Sequence, residues 1–344
     1  MALSPFVLSW APLQIDALGM VTMLGADQVN TYIGRMTYSC ITDMLPLLGT
    51  FVIAGNKFAE PIPGFVLYNI TDGIIATDLA GWFARWLLCQ DLTPSKSTIE
   101  ITITKRPRRP AAAALAYTIG LCVVLPPILI SILGHDWWGL GNSLCMLFSC
   151  FVRKIVIEMC KDTLDDAAEE AEKTDCEPVK VFLTMPTGQG VTIRTSRSVI
   201  INCLLTEPRT THRKFYDTVR GLGWLTFGCQ VVALGMSSFL IQLLTVVVMV
   251  SATVLATRGV GDDETRIGQR LLLKRSEYDG TGFRAKSYAR LDLKDTEEDS
   301  MVHWNMFPRR SNSRWWETYR KCLAEDNKRF DTWDQRLKNQ QVPE

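Results

Sequence analysis

Two carboxylate clusters are the residues best equipped for chemistry: Asp162, Asp165 and Asp166 in Asp162-Thr-Leu-Asp165-Asp166, and Asp262 and Asp263 in Asp262-Asp263-Glu264. On a helix Asp162 and Asp165 stand at i and i+3 on one face, and paired carboxylates of that kind can hold Mg²⁺ against a diphosphate. The implied activity is a magnesium-dependent membrane enzyme acting on a lipidic diphosphate. The plainer account of such a run is a solvated helix face, or a first helical turn favoured by the macrodipole.

Other chemistry has less to build on. Pro186-Thr-Gly-Gln-Gly190 lacks the Gly-Lys-Ser/Thr ending of a phosphate loop and reads as a hairpin turn. Gly259-Val-Gly261 lacks the third glycine and preceding strand of a dinucleotide fingerprint, and reads as a helix end. Ten cysteines form no Cys-x-x-Cys pair, and the three histidines, His135, His212 and His303, are scattered, which leaves no zinc or thiolate centre. Cys203 and His212 could serve as nucleophile and base, but no motif supports them. No cofactor is expected. With 37 Lys and Arg against 36 Asp and Glu, a net charge of +1 offers no footprint for nucleic acid.

The elements that must position these carboxylates are apolar. Charge is nearly absent from 111–152 and absent from 221–257, and about 20 apolar residues suffice for one membrane crossing. Ala111–Leu133 predicts a span kinked at Pro126-Pro127, and Trp138–Val152 a short second one. Gly221–Ser237 and Phe239–Thr257 predict a second pair. Lys105-Arg-Pro-Arg-Arg-Pro110, Arg153, Lys154, Arg213, Lys214, Arg220 and Arg258 flank these runs, so the positive-inside rule puts the flanks in the cytosol. Arg153 and Lys154 can snorkel to the membrane interface, and Trp137 and Trp138 fit an aromatic belt. Ionisable side chains, which mark ion paths, are missing inside the four runs, and Gln230, Gln242 and the glycines fit helix packing.

Residues 1–104 give weaker signals. Met1–Leu24 and Leu45–Gly55 are apolar without making a clear span, and Ile74–Cys89, with Trp82 and Trp86, suits a helix lying in the membrane interface. Asn69-Ile-Thr71 has the glycosylation pattern. Ser97–Thr104 alternates as a strand; Val179–Met185 and Val191–Thr195 read as a β-hairpin to which Val199–Leu205 adds a strand. Beyond Thr257, Glu264–Lys274 and Ser313–Ala324 read as short helices. In the second, Trp315 and Trp316 among arginines suit an anionic membrane surface or a partner, or pack onto the cytosolic unit. Asn339–Glu344 reads as a frayed end.

Along Thr184–Ile193, Cys203–Arg209, Arg258–Arg270 and Arg309–Trp316 the chain resembles uncharacterised multi-pass membrane proteins of filamentous fungi, mainly over 110–320. The resemblance implies a membrane location and carries over no site residue. The aspartate pairs are also similar to those of membrane prenyltransferases, although those enzymes use more helices and an Asn-x-x-x-Asp that is missing at the membrane boundary here. Taken together, the pattern predicts an α-helical polytopic membrane protein with two transmembrane helical hairpins (111–152 and 221–257). It would also have an N-terminal region (1–104), a small cytosolic α+β insert (153–220) and a charged cytosolic C-terminal tail (258–344). The expected role is a non-catalytic scaffold or adaptor of the plasma membrane or an endomembrane. Its partners would be the bilayer, proteins bound through insert and tail, and possible further copies in a homo-oligomer. The diphosphate enzyme and a small-molecule transporter are the alternatives.

Overall fold

The computed structural model describes residues 26–49, 51–93, 97–105, 110–174, 177–206, 210, 212–277 and 284–324. The possible span at Met1–Leu24, most of the basic run at 105–110 and the frayed end at Asn339–Glu344 lie outside them.

Alternating apolar residues build one mixed sheet. Its strands are β1 (Thr37–Ser39), β2 (Val66–Asn69), β3 (Ile74–Ala76), β4 (Ser97–Ile103), β5 (Pro178–Thr184), β6 (Gly190–Ser196), β7 (Asp262–Ile267) and β8 (Leu271–Glu277). They lie in the order β1-β7-β8-β4-β6-β5-β2-β3, with β4 and β6 parallel and the other neighbours antiparallel. Ile99 and Ile101, Val179, Val181 and Leu183, Val191 and Ile193, and Leu271 and Leu273 turn to one face and enter the main core. Phe182 points the other way.

The helices are α1 (Ala26–Gly34), α2 (Phe51–Ala54), α3 (Gly81–Cys89), α4 (Pro110–Leu133), α5 (Trp137–Thr174), α6 (Arg197–Val199, continuing as the π-helical Ile200–Leu205), α7 (Arg213–Met236), α8 (Phe239–Thr257), α9 (Arg284–Ala289), α10 (Asp295–His303) and α11 (313–324). α3, the second half of α5 and the π-helical turn cover the main face of the sheet, with Trp82, Phe83, Trp86, Val156, Leu164 and Cys203 all in that core. On the opposite face Tyr288, Phe307, Trp316 and Tyr319 from the α9–α11 segment pack over Phe182 and Ile70.

This sheet overturns the polytopic helical reading with two transmembrane hairpins. The β5–β6 hairpin is no free-standing insert: β4 and β2 flank it, so residues assigned to the N-terminal region, the insert and the tail share one sheet. The reason is that two strands alone leave both edges unpaired and bury too little to be stable. Among the described residues three helices rather than four, α4, α7 and α8, are long and apolar enough to cross a membrane. The apolar front of α5 is too short, and α5 runs on through Arg153 and Lys154 to pack Val156, Leu164, Ala168 and Ala171 against the sheet. Charged Arg213, Lys214, Asp217 and Arg220 belong to α7 itself.

Local expectations change too. Glu264–Lys274 is the β7–β8 hairpin rather than a helix, turning at Gly268, whose φ is +58°. Val199–Leu205 is helical rather than a strand. Asn69 is buried at 5% exposure, and its amide and Asp72 hydrogen-bond each other across the β2–β3 turn, so the glycosylation pattern is closed off in the folded chain. At the far end of the apolar helices Asp136 accepts the N–H of Gly139 and that of Ser238, both at 2.8 Å, and so caps α5 and ties its start to the α7–α8 turn.

Candidate functional site

Asp165 is buried on the inner side of α5 and accepts the Gln269 N–H at 2.9 Å and the Arg270 N–H at 3.0 Å, holding the β7–β8 turn. Burial raises its pKa, against the lowering effect of those backbone hydrogen bonds. Asp162 and Asp166 are exposed. Asp262, at the other end of β7, is buried against the Arg35 guanidinium; burial raises its pKa while Arg35 opposes the rise. Asp263 accepts the Thr265 hydroxyl at 2.6 Å. β7 therefore separates the two clusters by about 16 Å, taking ~3.3 Å of rise per residue. Among the described residues no group of three or more His, Cys, Asp or Glu could hold a metal ion.

The interfacial candidates divide. Trp82 and Trp86 do not lie in an interface: both are core residues, their indole N–H groups donating at 2.9 Å to the carbonyls of Cys203 and Glu264. Trp316 is buried and Trp315 half-buried in an aromatic cluster with Phe307 and Tyr319. Trp137 and Trp138 are exposed at the start of α5. Arg153 does not snorkel: it is buried, and its Nη2 donates at 2.7 Å to the carbonyls of Asp43 and Leu45. Lys154 pairs with Asp43 at 2.7 Å and Glu158 at 3.1 Å. Pro186–Gly190 is the β5–β6 turn, closed by Met185 N–H to Gln189 O at 2.8 Å. Burial, then the nearby Asp165 charge, pushes the Cys203 thiol up to about 12, the opposite of what a nucleophile needs.

Two features had no clear sequence signal. The first is the segment 40–49, which enters the apolar helices as irregular backbone. Gly120 lets it press against α4, since a Cβ there would stand 2.6 Å from the Met44 carbonyl oxygen. Leu48 donates its N–H to Thr253 Oγ1 at 2.9 Å and packs among Val124, Met146, Leu234, Val246 and Met249. Thr253 lies four residues from the end of α8, so the tip reaches about 6 Å into the helix layer. Gly49, at φ +68°, turns it back, and Arg220 of α7 receives it by donating to the Ala54 carbonyl at 2.9 and 3.1 Å. Irregular backbone is tolerated at such depth only when protein encloses it and supplies partners, as Arg153 and Thr253 do here. Deeper along the same face of α8, Thr245 accepts from Asn142 Nδ2 at 2.9 Å and Met249 Sδ from Gln230 Nε2 at 3.9 Å. The Asn142 and Gln230 side-chain oxygens, both buried, have no hydrogen-bond partner among the described residues.

The second is a cleft of ≈ 450 Å³ where α8 meets the sheet-bearing body. One wall is a stripe of α1 and its end, with Asp27, Thr31 and Arg35 at i, i+4 and i+8 beside Gln28 and Tyr32. The other carries Cys89, last in α3, and Thr257, last in α8. Arg35 closes the floor: Nη2 pairs with Asp262, Nη1 lies 3.4 Å from Glu264, and Nε is buried without an acceptor. The guanidinium also covers the Tyr32 ring at 4.7 Å. Burial, then Asp262, raises the Tyr32 pKa well above the usual phenol range.

Comparison with protein-family models, with curated proteins and with solved structures gives no match for this chain. The functional reading therefore rests on geometry.

Proposed function

We propose that this chain is an integral protein of the plasma membrane or an endomembrane and works without catalysis, as a scaffold or adaptor whose sheet-bearing body meets partner proteins outside the lipid. The observation that carries this reading is an inverted polarity in the apolar helices. Outward-facing Leu121, Leu125, Leu129 and Ile132 of α4, Leu222 and Leu225 of α7, and Val247 and Val254 of α8 are exposed. Asn142, Ser143, Gln230 and Thr245 are buried between the helices. In water that distribution exposes a large continuous apolar surface; in lipid it is the ordinary arrangement, with polar groups as contacts between helices. Against catalysis stands the use of Asp165 and Asp262 as structural partners of backbone amides and Arg35.

Alkaline carbonate washing of membranes from expressing cells tests the location. The chain stays in the pellet; release into the supernatant overturns the reading. Phosphate release from prenyl diphosphates by the purified full chain tests the absence of catalysis. The expected rate equals that of heat-inactivated protein, and Mg²⁺-dependent release lost in Asp166→Asn would refute it.

A further inference from the structure

Resting on that membrane reading, we infer that the cleft between α1 and the end of α8 seats the headgroup of an aminophospholipid, its primary ammonium at Asp27 and its phosphodiester at Arg35. Place, charge and an unfilled donor argue for it together. Thr257 closes both the cleft and the 19-residue apolar α8, so a ligand here lies where a lipid headgroup lies, with acyl chains able to follow the exposed Val254 and Leu255. Asp27 is exposed, stands in the first turn of α1 and has no ion pair or side-chain hydrogen bond among the described residues. A carboxylate so placed takes a cation.

Arg35 supplies the other pole. Its side chain is 3% exposed, Asp262 and Glu264 occupy its terminal nitrogens, and its Nε–H is buried without an acceptor among the described residues, on a residue that lines the cleft. A buried donor left unmade costs about 1–3 kcal/mol, which an ester oxygen would relieve. One donor at the floor and one carboxylate two helical turns away, about 12 Å along α1, match a ligand with an acceptor at one end and a cation at the other. The charge balance selects the class. Asp27, Asp262 and Glu264 outweigh Arg35, which disfavours a headgroup of net negative charge. Choline is disfavoured because Arg35 already covers the Tyr32 face that a quaternary ammonium would use. A primary ammonium has three N–H donors, and Asp27, the Thr31 hydroxyl and the Gln28 amide oxygen are the acceptors along the same wall.

The test is native mass spectrometry of the full chain released from vesicles of equal parts phosphatidylethanolamine, phosphatidylcholine and phosphatidylglycerol. Wild type retains phosphatidylethanolamine preferentially, and Asp27→Asn lowers that retention by about tenfold, the scale of one charge-assisted hydrogen bond, without changing the phosphatidylcholine background. Thr31→Val reduces it less. Asp27 is exposed and unpaired among the described residues, so the variant keeps the wild-type melting temperature, measured alongside. Equal retention of the three lipids, or retention indifferent to Asp27→Asn, overturns the site. Free phosphoethanolamine that competes as well as the whole lipid overturns the lipid source. A chain that survives carbonate washing yet shows no headgroup preference sinks this inference alone; release by carbonate sinks the membrane reading beneath it.

Discussion

Replacing Asp165 with asparagine keeps the side-chain shape and removes one charge, which separates a structural carboxylate from a catalytic one. The native carboxylate receives two backbone N–H groups in three contacts of 2.9–3.0 Å at the β7–β8 turn. Asparagine offers a single oxygen and turns its NH₂ toward the remaining donor. Hydrogen bonds to a charged acceptor contribute about 1.5–3 kcal/mol each, and the variant keeps one in weaker, neutral form, so the gross loss is about 2–4 kcal/mol. Burial already raises the Asp165 pKa, a desolvation cost that asparagine avoids, which places the net loss near 2 kcal/mol. For a chain of 344 residues that lowers Tm by roughly 3 °C, at ~2.1 cal/mol/K of unfolding entropy per residue. Exposed Asp166→Asn, one residue on, should change stability by no more than about 0.5 kcal/mol. Tryptophan fluorescence melting of both variants in one detergent measures the contrast, and hydrogen exchange at the Gln269 and Arg270 amides localises it. Equal melting of Asp165→Asn and wild type, with unchanged protection of those amides, would refute the capping role.

Three further outcomes follow from other buried groups. The Arg197 fork, with Nε 3.0 Å and Nη2 2.5 Å from the Asp72 carboxylate, holds Asp72 below its ordinary pKa of 3.8. The unfolded chain thus binds this proton more readily. Stability from the pair is complete above pH 3.8 and is lost as pH falls through the lower folded value; melting against pH should show Asp72→Asn flattening that acid limb. Arg153→Met strips the donor from the Asp43 and Leu45 carbonyls and should destabilise by about 2–4 kcal/mol, with maleimide labelling of a Leu48→Cys reporter rising as the segment loosens. Gln230→Leu removes a buried amide whose oxygen has no partner, so it should leave melting unchanged or raise stability by up to about 1 kcal/mol; a large loss would reveal an acceptor role.

How much of this was legible depends on where the determining contacts lie in the chain. The apolar character of α4, α7 and α8, the β5–β6 turn and the strand at Ser97–Ile103 are local patterns, and composition or alternation exposes them. The sheet order is not local. β7 and β8 pair with strands far earlier in the chain, and the charges of Asp262, Glu264, Arg266, Lys274 and Arg275 hide their alternation, so the stretch reads as helix or tail. Aromatic content misleads at Gly81–Cys89: Trp82 and Trp86 look interfacial until distant carbonyls satisfy their N–H groups and let both rings sink into the core. The same holds for carboxylates, since nothing near Asp165 in sequence announces the turn at Gly268 that it holds. Nothing in the sequence marked the cleft, because the i, i+4, i+8 spacing of Asp27, Thr31 and Arg35 gains meaning only once α8 ends beside it.

The apolar helices and the sheet are one mechanical unit, because two elements run through both. α5 packs Met146 and Cys150 between apolar helices, then Leu164 and Ala168 against the sheet, without interruption. α8 packs Met249 among the helices and Ala252 and Ala256 in the main core, and four residues after it ends the chain enters β7. Between these lies the segment 40–49, fixed by Arg153 of α5 and Thr253 of α8 where the apolar helices meet the sheet-bearing body. A ligand at the mouth of that junction touches α1, and Arg35 behind α1 is tied directly to Asp262 at the start of β7. Whatever occupies the cleft therefore bears on the sheet through the Arg35 contacts with Asp262 and Glu264 of β7, and under the proposed scaffold role that is a physical route from lipid composition to the surface offered to a partner.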